Sequence, residues 1–208
     1  MRRSNSMRGL EDLGRTRLSR HFYLRDFLYS EIGQIHNIPN IPDDPALAIQ
    51  RGQQLCQMLL DPLTQTFGRI GIRSGYRSAA LNAFGNQHKL NCARNDHPEE
   101  CHIWDWPGRE VAGASIVIPW FADHYAQGRD WRDLAWWLHD HLPYSEMFFF
   151  PKLCAFNLSW RPDPWRKISS YIAPRGTLLA RGGAPGESLP QRQARYGDFP
   201  RLGRLVAD

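Results

Sequence analysis

Ala46, Ile49, Leu55, Leu59 and Leu63 recur at helical spacing, Pro45 suits a first helical turn, and Phe67-Gly68 supplies a stop. The spacing predicts a helix over 45–67. A second helix is read from the aromatics and leucines of 21–30, ending near Gly33. Between them runs Asn37-Ile-Pro-Asn-Ile-Pro-Asp-Asp-Pro45, a loop, because three prolines fit neither a helix interior nor a ladder. Further along, 70–73 reads as a short strand and 79–84 as a short helix. The apolar run Ala114-Ser-Ile-Val-Ile118 reads as a buried strand ended by Pro119. Residues 131–142 form a helical pattern with Leu134, Trp137 and Leu138 on one face, and 147–150, 155–160 and 168–172 give three more strands.

Two stretches lack periodicity. Residues 86–110 are polar, hold three of the eight histidines and read as a long loop, of the kind that is usually functional. From Pro174 onward Gly, Pro, Arg and Gln dominate, which reads as a tail with at most local contacts. The order of elements predicts an α+β fold, with N-terminal helices packed on a small, mainly antiparallel sheet. The chain divides on this reading into a basic N-terminal tail (1–20), one α+β domain (21–174) and a C-terminal tail (175–208).

Composition supports a packed domain: 208 residues, 42% hydrophobic and 12% aromatic, with eight Trp. A formal charge of +5 suits an anionic wall, a membrane face or nucleic acid and selects none of them. No nucleic-acid module is recognisable, so no nucleic-acid partner is expected. No apolar run reaches the ~20 residues of a spanning helix. The Arg- and Ser-rich start lacks the apolar stretch of a secretory signal, and Met7 is as good a start as Met1. The expectation is a cytoplasmic protein, with export by another route left open. Cys56 and Cys154 read as buried thiols; Cys92 and Cys101 bracket a polar loop and, in a reducing compartment, are expected to be free.

The segment Ile72-Arg-Ser-Gly-Tyr-Arg-Ser-Ala-Ala-Leu-Asn82 is the most informative in the chain. It resembles the S-G-Y-R-S…L-N signature of the D-alanyl-D-alanine carboxypeptidase (hedgehog-like) zinc peptidases, which cut peptidoglycan stem-peptide bonds. The text from Phe22 to Ser30, the Asn-Ile-Pro loop and Leu60-Asp-Pro-Leu63 resemble the same family, so the likeness spans roughly Phe22 to Pro174. The resemblance implies that Arg77 holds a substrate carboxylate or developing oxyanion, a task suited to a rigid guanidinium fork. It also implies a cleft near Ser74, Tyr76, Trp104, Ser115 and Asn157.

The family needs a His, Asp, His zinc site with an open position for water. His102 matches the first ligand. The Asp position falls on Ser115, the second His position on Asn157, and the usual acid two residues earlier on Ala155. Ser and Asn are poor zinc ligands and Ala cannot act as a base. One alternative is a rebuilt zinc site on His102 and Asp105, with His97, His139 or His141 completing it. Each also has a plain reading: Asp105 as a turn or capping residue, His139 and His141 as cations at a helix C-terminus. Trp104 and Trp106 flank a loop and could meet a partner, whereas Trp136 and Trp137 read as core. Glu146 reads as a solvated turn residue, with acid–base work as the alternative.

Three functions follow. The first is a carboxypeptidase-like pseudoenzyme without zinc or other cofactor that binds a peptidoglycan peptide or a protein partner. The second is an active metallopeptidase with relocated ligands, carrying zinc. The third is a structural subunit docked into an assembly through its tails.

Overall fold

A computed structural model describes residues 5–203; residues 1–4 and 204–208 of the two expected tails lie outside the described residues. The architecture is α+β, with a mostly antiparallel six-stranded sheet. The chain forms two compact units, one running to Gln57 and including Ser74–Ala114, the other comprising Met58–Arg73 and the residues from Ser115 on.

In the first unit α1 (Met7–Gly14) begins at Ser6, whose hydroxyl accepts from Gly9 N at 3.1 Å. The expected helix over 21–30 is replaced by a single 3-10 turn, Leu24–Phe27. Tyr23 is extended and bridges Arg17, and the Asp26 carboxylate takes the Tyr23 N–H at 2.8 Å. Capping thus wins over propensity here. The Ser30 hydroxyl then accepts from Gly33 N and opens α2 (Glu31–His36). Asp44 caps α3 (Pro45–Leu55), its carboxylate accepting from Leu47 N at 3.1 Å, with Pro45 in the first turn. A π turn over Cys56–Leu60 leads into α4 (Asp61–Phe67), which belongs to the second unit. Pro62 has no N–H for the carbonyl four residues back, and the widened turn lies where that bond would fall. β1 (Gly71–Ser74) and α5 (Ala79–Gln87) follow, the latter capped by Ser78.

β2 (Ala112–Val117) is buried at every position, as its unbroken apolar text predicts. Pro119 ends that strand and also opens a helix the sequence reading lacks, α6 (Pro119–Ala126). α7 (Trp131–His141) follows the expected helix within a residue, capped by Asp130, with Trp136 and Trp137 in the core.

The sheet order is β1-β2-β4-β3-β5-β6, where β3 is Glu146–Phe149, β4 Phe156–Trp160, β5 Lys167–Ser170 and β6 Gly176–Leu179. β3 pairs antiparallel with β4 and parallel with β5, and β5 antiparallel with β6. Met147, Phe149, Phe156, Leu158 and Ile168 point to one face and are fully buried. Each contributes about 1.5–3 kcal/mol over an exposed position.

The segment after Pro174 is not confined to local contacts. It supplies β6 and then α8 (Leu189–Arg195), which packs on α7. Arg192 grips the Asp140 carboxylate with Nε and Nη2 at 2.7–3.0 Å, and Tyr196 Oη donates to the same carboxylate at 2.7 Å. Arg195 reaches Asp133 at 2.9 Å and Asp130 at 2.8 Å. Forked, shielded pairs in a network hold more than isolated surface pairs. Among the described residues no helix is long and apolar enough to cross a membrane.

Candidate functional site

Ser74 to Ser78 leaves β1 and turns into α5 under the control of one side chain absent from the sequence reading. Asn40 Oδ1 accepts from Ser78 N at 2.7 Å, while its Nδ2 donates to the carbonyls of Tyr76 at 2.8 Å and Leu28 at 3.0 Å. The Pro-rich loop therefore pins the signature on both sides of Arg77. Arg77 N donates to the His102 carbonyl at 2.9 Å, which fastens the signature to the long loop as well.

Gly75 has a packing reason to be glycine: a Cβ there would sit 2.6 Å from Phe27 Cβ and 2.7 Å from Phe27 Cα. A backbone atom cannot rotate away. Gly75→Ala is expected to cost about 1–3 kcal/mol in a urea melt, the range for overpacking. An unchanged midpoint would mean that the turn moves aside freely.

The Arg77 guanidinium is half-buried and meets neutral groups: Nη1 donates to Asn82 Oδ1 at 3.0 Å and Cys92 Sγ at 3.3 Å, and Nη2 to Ser74 Oγ at 3.3 Å. Asn82 is itself fixed, donating to the Ala93 carbonyl and to Asn95 Oδ1, both at 2.9 Å. Arg109 gathers the loop around this network by donating to the carbonyls of Asn95, His97 and Glu100. An arginine satisfied by backbone carbonyls leaves no spacing pattern in a sequence. Glu100 is buried; burial raises its pKa, and the Arg77 charge pulls it back part of the way. Its Oε1 accepts from His102 N at 2.7 Å.

His102 is 5% exposed, with Nδ1 2.7 Å from the Gly75 carbonyl. A carbonyl only accepts, so Nδ1 carries the hydrogen and Nε2 keeps its lone pair. Burial first, and then the Arg77 charge, hold the imidazole pKa down to about 3, so the ring is neutral at neutral pH. Among the described residues nothing hydrogen-bonds to Nε2. An Nδ1–H fixed on a carbonyl with Nε2 left over is the arrangement of a metal-ligating imidazole.

Several expected site residues have other employment. Tyr76 and Trp104, expected to line the cleft, are fully buried. Trp104 packs on Phe27 at 5.1 Å and Tyr76 at 5.9 Å and donates from Nε1 to the Gly113 carbonyl at 3.0 Å. Asp105 accepts from Tyr76 Oη at 2.9 Å on one oxygen and from Asp43 N and Asp44 N at 2.7 and 3.0 Å on the other. It is a structural carboxylate, in line with its plain reading. His97 is exposed and accepts from Glu99 N at 3.2 Å. Cys92 and Cys101 are buried and not joined in a disulfide.

In the second unit, Ser115 lies buried in β2, and Asn157 half-buried in the neighbouring strand β4. At the end of α7, His139 Nδ1 is 2.8 Å from Tyr144 Oη, and burial first, then Arg166, lower its pKa to about 4. His141 donates from Nδ1 to the Trp137 carbonyl at 2.8 Å and stacks on the Trp137 ring at 4.6 Å. Glu146 is not a solvated turn residue: it opens β3 and pairs with Lys167 at 3.0 Å. Among the described residues no three His, Cys, Asp or Glu side chains form a group that could hold a metal ion. Within the first unit the rebuilt set of His102, Asp105 and His97 is therefore not assembled. With Ser115 and Asn157 at the other two positions implied by resemblance, the donor set does not fit zinc. Comparison with protein-family models, curated proteins and solved structures gave no match.

Proposed function

We propose that the chain is a peptidoglycan-carboxypeptidase-like domain that has lost its zinc chemistry and serves as a non-catalytic binding or accessory protein. Its anchor is Arg77, which receives a carboxylate such as the C-terminus of a D-alanyl peptide. The observation that carries this reading is the environment of Arg77. Its guanidinium is held in place by Ser74, Asn82 and Cys92, all neutral, so its charge is positioned without being cancelled by a direct ion pair. Burial raises the pKa of the nearby Glu100, and the Arg77 charge opposes that rise. The neutral His102, beside it in the fold, offers a lone pair at Nε2 to a ligand N–H or O–H.

The test uses D-alanyl-D-alanine and its C-terminal amide, titrated into the full chain by NMR. The acid should bind and the amide should not. Arg77→Ala should weaken the acid by about tenfold to a hundredfold, the value of one charge-assisted contact, while Arg77→Lys keeps part of it. Equal binding of acid and amide would refute the carboxylate assignment. Elemental mass spectrometry of protein purified without added zinc or chelator separates the rival: near one zinc per chain, lost in His102→Ala, would establish a metallopeptidase instead. Under the proposal, the parent and His102→Ala carry no zinc alike.

A further inference from the structure

The sheet face that carries Asn157 also carries three aromatic rings outside the core. Strand alternation sends Met147 and Phe149 to the buried face and Phe148 to the other. Phe150, just past β3, and Tyr171, just past β5, join Phe148 there. Ring centroids lie 4.7 Å apart for Phe148 and Tyr171, 5.2 Å for Phe148 and Phe150, and 6.2 Å for Phe150 and Tyr171. Tyr171 is 57% exposed, and the two phenylalanines are half-buried. A contiguous group of partly exposed aromatic rings is the kind of apolar surface that marks a ligand-binding or interaction site.

The neighbours of this shelf are polar and set by register. Asn157 stands opposite Phe148 on β4, Ser169 beside it on β5, and Thr177 opposite Ser169 on β6. Asn157 is half-buried and Thr177 exposed. In the next row Glu146 and Lys167 pair with each other and offset one another, and Arg175 spends its Nε on the Tyr171 carbonyl at 3.2 Å. All of these residues belong to the second unit.

We infer that this shelf binds a pyranose ring of an uncharged oligosaccharide. A pyranose presents a face of C–H groups that stacks on an aromatic ring and a rim of hydroxyls that need neutral donors and acceptors. The shelf supplies the first with Tyr171 and Phe148 and the second with the Asn157 amide and the Thr177 hydroxyl. Two other occupants fit less well. An extended peptide adds to a free strand edge, here β6, whereas Phe148 lies two strands inward on β3, which is hydrogen-bonded on both sides to β4 and β5. An amphipathic helix needs an apolar groove, whereas this platform is bordered by an amide and hydroxyls. The inference does not depend on the role of Arg77.

Chitotetraose and cellotetraose, titrated into the 15N-labelled full chain, test it. At least one should bind, with shift changes centred on Phe148, Phe150, Asn157, Tyr171 and Thr177. Tyr171→Ala should weaken that sugar about tenfold or more, equivalent to about 1.4 kcal/mol, while its melting temperature stays at the parental value. Tyr171→Phe, which keeps the ring, should bind normally, and so should Arg77→Ala. Thr177→Val, at an exposed position on the edge strand, gives a second variant that should weaken the sugar without unfolding. Overturning results are no shifts with either sugar at millimolar concentration, or unchanged binding in both Tyr171→Ala and Thr177→Val. Shelf resonances that shift with protein concentration in the absence of sugar would also overturn it and assign the face to a second copy of the chain.

Discussion

Asp105→Ala lowers the stability of the protein by about 3–5 kcal/mol, the scale of losing three hydrogen bonds to one carboxylate, and lowers the melting temperature by about 6–20 °C at this chain length. The carboxylate serves three donors at once: the buried Tyr76 hydroxyl on one oxygen, and the Asp43 and Asp44 backbone N–H groups on the other. Alanine takes the acceptor from all three, and a buried donor that loses its partner costs about 1–3 kcal/mol. The damage spreads, because Asp44 caps α3 and Tyr76 carries the backbone beside Arg77. Asp105→Asn separates geometry from charge. Its amide oxygen can still face the two backbone N–H groups while its Nδ2 donates to the Tyr76 oxygen, so the cost should fall to roughly 1 kcal/mol, that of a neutral hydrogen bond replacing a charged one. Urea melts followed by tryptophan fluorescence read both variants. A loss below about 1 kcal/mol in the alanine variant would show that water replaces the carboxylate without penalty.

That hub also shows where a linear reading stops. The helix text from Pro45 to Phe67 and the apolar run into Pro119 are legible because period and punctuation act between near neighbours. The sequence reading pairs Asp105 with His102, three positions away, as one possible metal donor, beside its plain reading as a turn or capping residue. Its true partners, Tyr76, Asp43 and Asp44, lie 29 or more positions away. Asn40 is the same case: an ordinary loop residue by composition, yet the clamp on the signature turn. Trp104 misled by position, since a tryptophan inside a polar loop suggests exposure. Here the loop folds back so that the ring fills the space above Gly52, where a Cβ would come within 2.7 Å of it. The C-terminal segment failed for a compositional reason. Its Gly, Pro and Arg content mimics a disordered tail, but each arginine of α8 has an acidic partner on or beside α7 at a separation of more than 50 residues. The segment Ser74–Asn82 is only partly local: Ser78 caps the next helix, whereas Gly75 presses on Phe27, 48 positions away, and Asn40 clamps the turn from the Pro-rich loop.

The second large effect is on the acid side. Unfolded, a histidine takes up a proton near pH 6.5; folded, His102 does so only at about pH 3. Between those values the unfolded chain binds a proton that the folded chain refuses, so stability falls as pH falls, by about 1.4 kcal/mol per pH unit from this group. Burial, which removes the water that would solvate a charge, sets the sign; Arg77 adds to it by opposing a second positive charge, and the Gly75 carbonyl on Nδ1 partly offsets both. His139, held to about 4 by burial and then by Arg166, acts in the same direction from the second unit. Glu100 works against both. Its raised pKa means the folded state keeps a proton just above the ordinary carboxylate range that the unfolded chain has lost, which favours folding as the pH drops there. The contribution of His102 is isolated by comparing the parent with His102→Gln, whose side-chain amide can donate to the Gly75 carbonyl but does not titrate. Urea midpoints taken from about pH 7 to about pH 4 should fall more steeply for the parent, by about 1.4 kcal/mol per pH unit below the unfolded histidine pKa. His139→Gln should remove a further, smaller part of the slope, since that ring is only half-buried. Parallel curves for the parent and His102→Gln would mean that the imidazole accepts its proton inside the fold, and the neutral Nε2 beside Arg77 would no longer be a feature of the site.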